Sequence, residues 1–238
     1  MSLTKTQLDS LVRRNVKASS VSYSAADLTA DENLAIDRFL ELAIRSSGKW
    51  QFDDSNHTDY PIIMTNIVSG QRDYAFTTDE GGNLILDIYK VMIKQSASDD
   101  TYIEIFPVDQ QSDPATDQFW NGDNVAGIPD RYDKTANGLF LGDGVPNYNA
   151  TNGLKVFINR EGSYFTTSDT TKKPGIPGLF HEFIALYPSY LYALRNGLKT
   201  VNNFRDEISD MEVRIRKYFR DRAKDEDLFM SGESINSV

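Results

Sequence analysis

Cysteine is absent from this chain, and its absence removes several classes of site. Without thiols the protein has no disulfides, no thiolate metal ligands and no cysteine nucleophile. Long apolar runs are also missing, so the sequence predicts no membrane-spanning helix. The first residues, Met1–Lys5, lack the apolar core of a secretory signal. We therefore expect the chain to fold in a cytoplasm, with no membrane partner.

Positive charge is scarce in the middle of the chain. Residues 51–150 contain 17 acidic and 5 basic residues, a net charge of −12, whereas the whole chain has a net charge of −10. Because each contact to a nucleic-acid phosphate needs a cation, this segment is poorly suited to gripping a nucleic-acid backbone. The acidic surface either keeps a loop-rich region soluble, which is the simpler interpretation, or lets DNA slide past without sticking.

Helical patterns frame the chain at both ends. Residues 1–24 are polar with scattered leucines and predict a short helix or a flexible arm. Thr29 and Glu32 have the spacing of a capping box, followed by apolar residues at helical spacing to about Ser46. The sequence thus predicts a helix within residues 25–48.

The central region, residues 49–173, has the composition of β-structure. Runs rich in Ile, Val, Tyr and Phe alternate with Gly, Asp and Asn turns and predict eight strands. These strands are 60–68, 73–77, 84–95, 102–108, 131–134, 138–141, 154–159 and 164–167. Two longer stretches, 112–126 and 142–152, are predicted to be exposed loops.

Two helices are predicted within residues 174–227, followed by a flexible tail at 228–238. Pro188 lies inside the first apolar stripe and is expected to kink or divide that helix. The second helix has a stripe at heptad spacing, which usually indicates intramolecular core. Its members are Val201, Phe204, Ile208, Met211, Ile215 and Tyr218.

Together these patterns predict an α+β fold. Its body is a helical bundle formed by the N-terminal helix and the two C-terminal helices. A large antiparallel β-region is inserted between residues 49 and 173.

Residue clusters that could support catalysis are weak. Asp53, His57 and Asp59 place an imidazole among carboxylates, as in a metal-dependent hydrolase. Turns rich in Asp and Asn produce such clusters routinely, and the spacing matches no known metal loop. His181, at a helix start, is interpreted as a packing or hydrogen-bonding residue. The only candidate glycine loop, residues 80–83, lacks the lysine of a phosphate-binding loop. We expect no enzymatic activity and no cofactor.

Several motifs in a fixed order carry a family resemblance. They are Gly70–Tyr74, Gly127–Tyr132, Gly138–Leu141, Leu154–Ile158 and the Pro174–Phe183 junction into helices. This order resembles the head-to-tail adaptor (connector or head-completion) proteins of tailed bacteriophages, over roughly residues 30–225. The resemblance implies a structural virion protein of the neck, assembled in the host cytoplasm, that forms a ring, commonly of twelve copies.

The same resemblance implies the partners. The ring joins the portal protein to a tail or nozzle protein and forms part of the channel for double-stranded DNA, without sequence-specific binding. The expected portal contacts are Arg216, Arg220, Phe229 and Met230. The expected tail contacts are Trp120, Asp123, Asn147 and Tyr148. The expected channel-facing acidic residues are Asp99, Asp100 and Asp113.

Two alternatives remain open from the sequence. One is a tail or baseplate component, or an adhesin whose aromatic residues stack on glycans; its candidates are Trp120, Tyr132, Tyr148 and Tyr164. The other is the hydrolase built on Asp53, His57 and Asp59.

Overall fold

The computed structural model describes residues 2–47, 62–79, 82, 84–108, 119 and 126–227, with side chains to 222. Within these residues lie four α-helices and seven β-strands. The helices are α1 (Lys5–Val16), α2 (Ala25–Ser47), α3 (His181–Arg195) and α4 (Val201–Asp227), with a 3-10 turn at Gly178–Phe180 before α3. The strands are β1 (Ile62–Ile67), β2 (Asp73–Ala75), β3 (Ile85–Lys94), β4 (Tyr102–Pro107), β5 (Arg131–Thr135), β6 (Gly138–Gly142) and β7 (Ala150–Arg160).

The chain divides into two compact units. One consists of Met1–Thr58 and Gly162–Val238 and contains the helices, and the other is Asp59–Glu161 and contains the strands. The described part of each unit has its own cluster of buried apolar side chains.

The predicted fold class is wrong. The strands form one curled seven-stranded sheet in the order β1-β7-β3-β4-β5-β6-β2, so the protein is a mixed α/β fold and is not a helical bundle with an antiparallel insertion. The β4–β5 pair is parallel, with Phe106 opposite Arg131 and Pro107 opposite Tyr132. Alternating apolar residues predict that a strand exists, but they do not encode the direction in which it pairs.

The helix starts depend on local side-chain caps. The residues before α1 form a capping box, in which the Thr4 backbone N–H donates to the Gln7 side chain at 2.9 Å. Before α2, the backbone N–H of Asp27 donates to Ser24 Oγ at 3.1 Å. The capping box predicted at Thr29 and Glu32 is therefore wrong, because both residues lie inside α2 and are buried.

A buried contact between Lys5 and Glu32 joins the start of α1 to α2, while α1 packs mainly against α3. The Lys5 ammonium lies 2.9 Å from a carboxylate oxygen of Glu32, and both side chains are at most 2% exposed. Asp9, one turn along α1, also contacts Lys5. Apolar residues of α1 are buried around this pair, so the N-terminal segment is a packed helix and not a flexible arm.

The C-terminal helices exclude the predicted division at Pro188 and correct the predicted register of the last helix. The helix α3 continues through Pro188 without being divided. On α4 the buried residues are Ile208, Met211, Ile215 and Phe219, whereas Tyr218 is 38% exposed. A straight α-helix has 3.6 residues per turn and drifts from a heptad stripe, which moves the buried position from 218 to 219.

The last predicted strand, 164–167, is absent. This segment instead binds α2: the Phe165 backbone N–H donates to Asn33 Oδ1 at 2.8 Å, and the Asn33 amide donates to the Phe165 carbonyl at 3.0 Å. The strand β7 also begins at Ala150, so the predicted loop 142–152 is shorter than expected.

Among the helices that the structure describes, none is long and apolar enough to cross a membrane.

Candidate docking groove on the last two helices

A groove between the start of α3 and the second half of α4 is a feature of the helical unit that could receive a partner. Its cavity volume is about 450 Å³. We call it the α3–α4 groove; its lining residues are Leu179, Phe180, Glu182, Met211, Arg214, Lys217, Tyr218 and Asp221.

Two apolar side chains of the groove are exposed to solvent. Leu179 is 73% exposed and Tyr218 is 38% exposed. The 3-10 turn that precedes α3 carries Leu179 outward, while Phe180 of the same turn is buried. Leaving a leucine in water forgoes roughly 1.5–3 kcal/mol of burial, which contact with a partner recovers.

The floor of the groove is held by packed aromatic rings. The Phe180 and Tyr218 rings meet edge to face with centroids 5.4 Å apart. Tyr218 makes a similar contact with Phe219 at 5.2 Å, and Phe219 in turn packs on Phe39 of α2 at 5.8 Å. Because Phe180, Phe219 and Phe39 belong to the buried core and hold the Tyr218 ring, the groove is preorganised.

The rim of the groove carries both signs of charge. Glu182 and Asp221 are acidic, whereas Arg214 and Lys217 are basic. Such a rim favours a partner that inserts an apolar side chain and carries flanking charges of both signs.

The predicted portal residues on α4 lie near this groove but do not line it. Arg216 donates to Glu212 at 2.9 Å, and the same carboxylate accepts two hydrogen bonds from Arg38 of α2. These hydrogen bonds raise the pKa of Arg38. Arg220 is exposed. Arg216 therefore reinforces the α2–α4 contact. The other two predicted portal residues, Phe229 and Met230, lie outside the described residues.

The predicted tail contacts are only partly described. Asn147 is exposed in the β6–β7 connection. Tyr148 is half-buried against the sheet core, and its hydroxyl donates to the Lys94 carbonyl. Burial raises the pKa of Tyr148. Trp120 and Asp123 lie outside the described residues.

The predicted channel-facing residues Asp99 and Asp100 sit in the β3–β4 turn. Asp99 accepts a hydrogen bond from the Thr101 hydroxyl at 3.0 Å. Asp100 is fully exposed, with a carboxylate oxygen 3.7 Å from the Lys94 ammonium. Asp113 lies outside the described residues.

The hydrolase residues Asp53, His57 and Asp59 also lie outside the described residues. In the part of the chain that is described, no three His, Asp or Glu side chains are grouped to hold a metal ion.

His181 is buried; its Nδ1 accepts from the Leu3 backbone N–H at 2.9 Å, and its Nε2 donates to the Ile176 carbonyl at 3.0 Å. The predicted hydrogen-bonding role of His181 is confirmed.

Two of the aromatic residues suggested for glycan stacking are engaged within the fold. Tyr132 is 2% exposed, so it belongs to the sheet core. Tyr164 is tied to α2 through a hydrogen bond from its hydroxyl to Asp37 Oδ1. Trp120, the remaining candidate beside Tyr148, lies outside the described residues.

Sequence reasoning missed the groove because Leu179 and Tyr218 fit the apolar stripes of their helices. The signal that could have revealed it is the adjacent pair Tyr218 and Phe219. Only one of two neighbours on a helix can face the core, so the other must face outward.

Comparison of the chain with protein-family models gives no match, and comparison with curated proteins gives none either.

Proposed function

We propose that this chain is a non-enzymatic structural adaptor that joins a phage portal protein to the tail in a homo-oligomeric ring. The observation that carries the proposal is the α3–α4 groove, an apolar site with a mixed-charge rim. It lies on α4, the same helix on which the sequence predicts portal contact. The family resemblance supplies the identity of the partner, and the groove supplies a place for it.

The groove suits a helix or loop of the portal protein. Leu179 and Tyr218 offer apolar area at its centre, and the four charged rim residues can orient a partner without forbidding either sign. Because the aromatic floor is already packed, binding costs little ordering of this chain.

The sheet unit has a separate role in the proposal. Its exposed β6–β7 connection, including Asn147, faces the tail or nozzle protein. The acidic turn at Asp99 and Asp100 lines the path of double-stranded DNA and repels its phosphates, so DNA passes without being held.

Binding to the portal protein of the same phage tests the groove. We expect Leu179→Asp to weaken portal binding at least tenfold, because a carboxylate replaces the exposed apolar contact. Leu194→Asp is the matched control, since Leu194 is an exposed leucine of α3 that does not line the groove. Equal binding by both variants and the wild type, measured by biolayer interferometry, would refute the groove as the portal site.

A further inference from the structure

The sheet has a second surface that the portal and tail contacts do not use. On the side opposite the buried core, strand pairing places Lys155 between Met64 and Met92, Phe157 opposite Lys90, and Tyr102 opposite Lys94. We call this surface the lysine face; it comprises Lys90, Lys94, Lys155, Tyr102 and Phe157.

The lysines of this face lie over aromatic rings. The Lys155 ammonium is 4.1 Å from the centroid of the Tyr102 ring, and the Lys94 ammonium is 5.6 Å from the same centroid. The Lys90 ammonium is 5.9 Å from the Phe157 ring. These contacts hold three cations close to the sheet, and two of them, Lys90 and Lys94, belong to the strongly acidic segment 51–150.

Lys155, at the centre of the face, differs from the other two lysines in its ion pairing. Lys90 pairs with Glu104 at 2.9 Å, and Lys94 lies 3.7 Å from Asp100. Among the ion pairs of the described residues, Lys155 has no carboxylate partner. A half-buried ammonium of this kind binds an incoming carboxylate more strongly than a fully exposed one does, because water screens it less.

The surroundings of Lys155 favour a protein partner over a nucleic acid. Met64 is 42% exposed beside it, and methionine and aromatic residues are typical of protein interfaces. Glu104 on the same face repels phosphate. The four strands β1, β7, β3 and β4 span about 14 Å, which is wide enough for one helix about 10–12 Å across.

The chain itself carries a complementary helix surface. Asp206, Asp210 and Val213 of α4 are exposed and spaced i, i+4 and i+7, so they lie on one side of the helix, with Lys217 of the groove one turn further along that side. Val213 is 59% exposed. We call these three residues the acidic side of α4. Asp206 lies 3.7 Å from exposed Arg205, a weak surface pair that competes little.

We propose that the lysine face of one copy binds the acidic side of α4 of a second copy, with Lys155 meeting Asp210 and Val213 packing beside the methionines. The contact joins two different surfaces, and repetition of such a contact builds a ring when the rotation between neighbouring copies closes on the first copy. This inference rests on the proposed function, because it names the surfaces that build the adaptor ring.

Two charge-reversed variants test the contact. Lys155→Glu and Asp210→Lys each place like charges in the interface, so each variant alone is expected to remain monomeric. When the two are mixed, every interface between unlike copies has opposite charges, and rings with alternating copies form. Copy number is measured by native mass spectrometry, with and without the portal protein. Circular dichroism shows whether each variant is folded, and Lys134→Glu is the control, because Lys134 is a sheet lysine outside the lysine face.

The outcomes separate the inference from the proposed function. Assembly restored only on mixing supports the interface. Three results would overturn it. The Lys155→Glu variant assembles alone, the two folded variants fail to assemble when mixed, or the wild type stays monomeric even with the portal protein. Loss of nucleic-acid binding by Lys155→Glu with normal assembly would assign the face to nucleic acid instead. If the monomeric variants still bind the portal protein, the adaptor role is unaffected. If the wild type forms normal rings but does not bind the portal protein, only the adaptor role is contradicted.

Discussion

At the residue scale, the buried carboxylate of Glu32 links stability to pH. Burial raises its pKa to about 8, although the Lys5 ammonium acts in the opposite direction. The folded state therefore binds a proton that the unfolded state has released above pH about 4.5. The contribution of Glu32 to stability is complete below that pH and is lost progressively as the pH rises to about 8.

We expect Glu32→Gln to flatten this decline. In the wild type, Glu32 lowers the free energy of unfolding by up to about 1.4 kcal/mol per pH unit between pH 5 and 8. Urea unfolding followed by the helical circular dichroism signal at several pH values measures the difference. Glu207→Gln, a change at an exposed position of α4, is the control and should leave the slope unchanged. A slope unaffected by Glu32→Gln would contradict the assignment.

A glycine in β6 provides a second test at this scale. A Cβ on Gly138 would lie 2.1 Å from the Tyr74 carbonyl oxygen of β2, so Gly138→Ala must push these paired strands apart. We expect a loss of about 1–3 kcal/mol, the usual cost of overpacking. Gly127→Ala has open space around its Cβ and should change stability by less than about 0.5 kcal/mol. Similar unfolding midpoints for both variants would be inconsistent with the close approach of β2 and β6.

At the element scale, the register of α4 is tested by two adjacent aromatic residues. Phe219 is 2% exposed and packs on Phe39, so Phe219→Ala should cost roughly 3–5 kcal/mol. Tyr218→Ala should cost less than about 1.5 kcal/mol, because it loses mainly its ring contacts at the surface. Thermal unfolding compares the two. A larger loss of stability for Tyr218→Ala than for Phe219→Ala would contradict this register and favour the predicted heptad register, in which Tyr218 is buried.

The elements themselves were largely predictable, and their partners were not. The apolar and turn patterns locate β3 and β4 within one residue at either end, because strand and turn signals coincide there. The parallel β4–β5 pairing depends on contacts between segments that local patterns do not describe. The sequence does not distinguish α1 from a flexible arm, because α1 is stabilised by packing against α3 and by the contact of Lys5 with Glu32, both of which join separate helices.

The candidate sites were less predictable for the same reason. The lysine face combines β3, β4 and β7, and Lys155 lies 61 positions from Lys94 in sequence. No short motif marks such a surface. Likewise, the groove forms only when the turn before α3 packs against α4.

At the scale of the whole molecule, the C-terminal tail is a test of portal contact that does not alter the groove. Truncation after Asp227 removes Phe229 and Met230, and we expect it to weaken portal binding while the helical circular dichroism signal is kept. Binding is measured with the same portal protein as for Leu179→Asp. Unchanged affinity would remove the tail from the contact and leave the groove to account for it.

The adaptor role is tested most directly by deleting this gene from a phage that carries it and examining the resulting particles by electron microscopy. The account predicts tailless heads that leak or have lost their DNA, because nothing seals the portal or seats the tail. Complete, DNA-filled virions that fail only to bind cells would contradict it and indicate an adhesin.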